Sequence, residues 1–80
     1  MNDAEITAHI NDLVAEEHRL ERSHHDEGLS EEEQARLATV EVALDQCWDL
    51  LRQRRARRNA GQDPDDAEVR EADTVEHYQQ

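Results

Sequence analysis

Large apolar residues recur at helical spacing from the start of the chain. Ile6, Ile10, Leu13 and Leu20 follow one another at steps of four, three and seven, which marks one face of an α-helix. Glu17 occupies the one missing place in that stripe, and Val14 widens it. No proline or glycine precedes Gly28. The pattern predicts a helix from about Asp3 to His25, with Asp3 as its N-cap. Asp26-Glu27-Gly28-Leu29 reads as a turn in which Gly28 is free to adopt a left-handed backbone. Ser30-Glu31-Glu32-Glu33 then has the form of a capping box, with Ser30 as cap and Glu33 reaching back. A second helix is predicted from Glu31 to Asn59 or Ala60. Gly61 stops it, and Pro64 lies just beyond.

The second helix carries Leu37, Val40, Leu44, Cys47 and Leu51 at alternating steps of three and four, an a/d heptad seam. Trp48 adds an e position, and Ala43 and Leu50 add g positions, so the apolar surface is wider than one neighbour needs. Val42 falls at f, opposite the seam. A short turn makes the two helices antiparallel neighbours. The longer second helix is expected to project past the start of the first. Two such helices bury little against the entropy of ordering the chain, ~1.5 kcal/mol per residue. Self-association of two hairpins into a four-helix bundle answers that shortage. The expected fold is therefore all-α, a hairpin of helices at about 3–25 and 31–60 that forms a homodimer.

Residues 61–80 read as a separate acidic tail after the 1–60 hairpin. Asp63 and Pro64 look like a helix start, and Asp73 and Glu76 have the spacing of a weaker capping box. Val69, Val75 and Tyr78 are the only large apolar groups there. The expectation is one or two helical turns that pack if Val75 and Tyr78 find a groove, and a frayed tail otherwise.

Composition alters this picture in two ways. Leu, Ile, Val and Phe total 14 of 80 residues and the net charge is -12, values that by themselves suit a disordered chain; the helical patterning argues the other way. Charge is also blocked: -9 over residues 1–35, +3 over 36–60 and -6 over 61–80. No apolar run approaches a membrane span, and the first residues lack the features of a signal peptide. A lone cysteine makes neither an internal disulfide nor a cysteine zinc site, and Cys47 is read as a reduced cytoplasmic thiol. With two glycines and no glycine-rich phosphate motif, no phosphate cradle is expected.

Leu44-Asp45-Gln46-Cys47-Trp48-Asp49-Leu50-Leu51-Arg52-Gln53-Arg54-Arg55-Ala56 resembles the central motif of a short actinobacterial family known as domain of unknown function 2630. Ile10 with Leu13-Val14-Ala15-Glu16-Glu17-His18 is similar to its opening. Asp63-Pro64-Asp65, Val69-Arg70, Val75-Glu76 and Tyr78 are similar to its end. The likeness covers nearly the whole chain, and the His24-His25 pair lies outside it. It implies a free-standing cytoplasmic protein of a high-GC bacterium and carries over no activity, ligand or catalytic residue.

Three groups have candidate chemistry. Glu21 and His24 have the i, i+3 spacing of di-iron bundles, near Glu17, His18 and His25, yet helix two offers no matching Glu-x-x-His. Adventitious metal binding by His24 and His25 is the plainer reading. Cys47 with a histidine has no oxyanion donors or pocket-forming loop around it, so no enzyme, cofactor or metal is expected. Arg52, Arg54, Arg55, Arg57 and Arg58 crowd seven positions. They suit a phosphate-binding helix, but they also complement the helix C-terminus, wrap round the helix and lack interleaved aromatic residues. If they serve the fold, the partners of Arg54, Arg57 and Arg58 are carboxylates of helix one or the tail. Trp48 reads as a core anchor between helices, or as a hot spot for a partner. The expected role is a small interaction or structural protein whose contact residues are Trp48, Leu50, Val75, Tyr78 and the arginine run. A nucleic-acid-associated regulator using those arginines is the alternative.

Overall fold

The computed structural model describes residues 1–22, 28–72 and 75. Helix α1 spans Asp3–Arg22 and helix α2 spans Glu31–Asn59, with a short 3-10 turn, η1, at Pro64–Asp66. No strand occurs among the described residues. The chain is all-α, and α1 and α2 pack as a hairpin.

Each helix end is fixed by its local sequence. The cap of α1 is Asn2, not Asp3 as expected. Asn2 Oδ1 accepts from the Glu5 N–H at 2.8 Å, and Glu5 Oε1 accepts from the Asn2 N–H at 3.0 Å. Asp3 is the first helical residue, so its carboxylate is free to act elsewhere. The capping box at Ser30 forms as expected, with both reciprocal bonds at 3.1 Å. At the far end of α2, Gly61 takes φ 74°. The Gln62 N–H donates to Arg57 O at 2.7 Å and the Gly61 N–H to Arg58 O at 3.1 Å. Together these bonds close a Schellman motif. Gly28 is also left-handed, at φ 75°.

The core is one cluster, formed by Ile6, Ile10 and Leu13 of α1 against Val40, Leu44 and Leu50 of α2. Ion pairs set the antiparallel register. Glu16 pairs with Arg36 at one end, and Asp3 pairs with Arg54 and Arg58 at the other. At 29 residues against 20, α2 is the longer helix, and Arg54 and Arg58 on its last turns reach back to Asp3 at the start of α1.

Burial on α2 is also rotated from the expected seam. Leu37, Cys47 and Leu51 are half-buried, while Leu50 is fully buried. The cause is the segment after Gly61. Asp63 caps η1 by accepting from the Asp65 N–H at 2.9 Å, and Ala67 packs against the core. Gln53 Nε2 then donates to Glu68 O at 2.7 Å, and Gln46 Nε2 to Arg70 O at 3.2 Å. Val75 is fully buried. The acidic segment thus runs as a strap back along α2 and covers the side of Leu50, about 120° round the helix from Leu44. Val42, expected opposite the seam, is half-buried. The proposed box of Asp73 and Glu76 lies outside the described residues.

Candidate functional site

The arginine run divides by position on α2. Arg54 turns inward and its side chain is 7% exposed. Its Nε donates to Asp3 Oδ1 of α1, and its Nη1 donates to Asp65 Oδ1 at 3.0 Å and Pro64 O at 3.2 Å. One guanidinium therefore ties both helices and η1 together, using the forked donor geometry that lysine lacks. Arg58 Nη2 reaches the other Asp3 oxygen at 2.8 Å. The two guanidinium groups hold the Asp3 carboxyl below its ordinary value, chiefly through the bond from Arg58 and then that from Arg54. The bonds to Asp3 and then Asp65 raise Arg54 further. At the opposite end, Arg36 lowers Glu16 by hydrogen bonding, and Glu16 raises Arg36.

Arg57 is half-buried, and Arg52 and Arg55 are exposed. None of these three makes an ion pair among the described residues. Arg52 and Arg55 share the open side of α2 with Trp48, four and seven residues before them respectively. Trp48 is 48% exposed, which corrects the expectation of a core anchor within the hairpin. It lies about 40° from Leu44, on the side away from the strap. Half-buried Leu37 and Leu51 and the acids Glu41 and Asp45 lie near the same side. The strap covers one flank of α2, and none of the described residues packs over this one.

A second apolar feature is a groove of about 240 Å³ between α1, α2 and the strap. Met1 and Val69, both largely exposed, stand at its edges, and Ile6, Ala43, Cys47 and Leu50 form most of the rest. Burial pushes the Cys47 thiol up, away from the thiolate that a nucleophile needs. Among the described residues, no three His, Cys, Asp or Glu side chains are placed to hold a metal ion. No helix among them is long and apolar enough to cross a membrane. His24, His25 and Tyr78 lie outside the described residues.

Of the contact residues expected from sequence, Leu50 and Val75 are therefore buried within the chain, and Arg54 and Arg58 are engaged with Asp3. Asp3 of α1 and Asp65 after Gly61 are carboxylates of the two segments expected from sequence to pair with these arginines, although Asp3 was also expected to cap α1. Sequence reading missed Asp49, which is 3% exposed. Asp49 Oδ2 accepts from Gln53 Nε2 at 3.0 Å and lies 3.5 Å from Arg70 Nε. A polar residue at an f position gives no sign of burial until the strap that covers it is known.

The family model for Protein of unknown function (DUF2630) matches residues 2–80. The chain belongs to this family. Uncharacterized proteins of Mycobacterium bovis and of Mycobacterium tuberculosis strain H37Rv are each 58% identical to it over 77 residues, covering 95% of this chain and 88% of theirs. No solved structure matches it.

Proposed function

We propose that this member of the family is a small, non-enzymatic cytoplasmic interaction protein that acts as a homodimer through the open side of α2. One observation carries the reading. The chain has one tryptophan and very few large apolar groups, and its fold leaves that tryptophan 48% exposed. Tryptophan and arginine are the side chains most often found at binding hot spots, and here both occur on one uncovered face. Light scattering behind size exclusion should give twice the 9.3 kDa chain mass. A folded species at the single-chain mass contradicts the reading.

The alternative, a nucleic-acid-associated regulator, is favoured by Arg52, Arg55 and Arg57, which have no carboxylate partner among the described residues. Three cations set against a net charge of -12 give weak attraction to a polyanion. Binding to DNA or RNA should be no tighter than ~10⁻⁵ M at physiological salt. A salt-sensitive nanomolar complex, lost on replacing these three arginines with Gln while the fold is kept, selects the alternative.

A further inference from the structure

We infer that the second copy packs its α2 antiparallel on this one, with Trp48 of both chains at the twofold axis. The inference rests on the homodimer reading above. Two observations carry it.

The first is charge. On the uncovered side of α2, Glu41 and Asp45 precede Trp48 by seven and three residues, and Arg52 and Arg55 follow it by four and seven. Glu41, Asp45, Arg52 and Arg55 make no ion pair within the chain among the described residues. Parallel pairing sets Arg52 and Arg55 level with the same arginines of the other copy and acids level with acids, so like charges gather at each end of the face, which is repulsive. Antiparallel pairing about Trp48 sets Arg55 of one copy level with Glu41 of the other and places Arg52 between Glu41 and Asp45. Arg52, Glu41 and Asp45 all lie on the flank of Trp48 away from Leu44. Same-side flanks meet across an antiparallel helix pair, so Arg52 of one copy meets Glu41 and Asp45 of the other along one flank. Half-buried Leu51 lies on the other. A surface that matches its own copy in this way is the isologous patch a twofold dimer requires.

The second observation is area. The chain exposes 5801 Å², about 800 Å² more than a compact protein of its mass exposes. That excess is close to the ~800 Å² that each partner buries in a standard interface. The chain measures 51 × 26 × 16 Å, so α2 runs along most of its long dimension and offers a continuous strip.

Cysteine cross-linking tests the arrangement on the full chain. Cys47→Ser removes the native thiol, and Glu41→Cys and Arg55→Cys are then made in separate chains. Both sites are exposed, and circular dichroism with light scattering checks that each chain folds and keeps its mass. In the antiparallel dimer, two copies of residue 41 stand about 21 Å apart along the axis, as do two copies of residue 55, while 41 of one faces 55 of the other. With a maleimide linker shorter than that span, the refolded mixture of the two chains should cross-link, and neither chain alone should. If each chain cross-links with itself, the helices are parallel; the inference fails and the homodimer stands. A dimeric mass with no cross-link in any sample moves the interface off this face and overturns the inference. A single-chain mass throughout overturns the homodimer reading as well.

Discussion

Val40 is fully buried, with 0% of its surface exposed, and it lines neither the groove nor the open face. Val40→Ala removes two buried carbons at ~0.8 kcal/mol each. A cavity contribution adds to this, because helices pinned by ion pairs at both ends collapse only partly. The expected loss is roughly 2–3 kcal/mol. An 80-residue fold holds on the order of 4–12 kcal/mol in total, so the change consumes a large share of it. The melting temperature should fall by roughly 8–20 °C. Val42 is the control, two residues along the same helix and only half-buried. Val42→Ala removes the same atoms from the partly covered outer side while improving helix propensity, so the two effects nearly cancel, within ~0.5 kcal/mol. Urea and thermal melts followed by circular dichroism measure both. Equal losses from the two variants refute the rotation assigned to α2.

Arg54→Met should lower the melting temperature more than Arg52→Met, because only Arg54 joins α1, α2 and η1; equal effects in thermal melts contradict the clamp. Asn2→Ala should cost ~1 kcal/mol through the lost cap, measured by urea unfolding. Asp3 and Glu16 are held below their ordinary values by arginines. Their contribution is therefore fully present above the ordinary carboxylate range and is lost below it, as the pH falls through the lowered values. Melts at stepped pH should show this loss, and Asp3→Asn should flatten part of it. Burial pushes the Cys47 thiol up, so alkylation by iodoacetamide near neutral pH should be slower than for a free thiol and should recover in urea.

The parts of the fold written in local sequence were legible before the structure. Ser30 and Glu33 form their box, Gly28 and Gly61 are left-handed, and Asp63 caps the turn at Pro64, because each is decided by a few adjacent residues. The stripe of Ile6, Ile10 and Leu13 faced inward as its spacing required. What failed depended on chain returning from a distance. Heptad spacing describes a helix with one neighbour, whereas α2 has α1 on one side and the strap on another. Leu50 and Asp49 are buried by that second cover. Trp48 read either as an anchor between helices or as a partner's hot spot, and it lies on the side that neither neighbour reaches. The division of the arginine run was legible too, since helical spacing places Arg54, Arg57 and Arg58 in one sector and Arg52 and Arg55 in another. A helix turning about 100° per residue separates it into a clamp at Arg54 and Arg58 and an open pair at Arg52 and Arg55.

The central claim is that a second copy covers the Trp48 side of α2. The chain has one tryptophan, so its fluorescence reports on that face directly. Emission recorded across a dilution series, with mass measured on the same samples, should be blue-shifted in concentrated protein. It should move red on dilution, in step with a fall from twice 9.3 kDa to 9.3 kDa. Emission that stays red at every concentration, on a folded chain of constant mass, contradicts the claim.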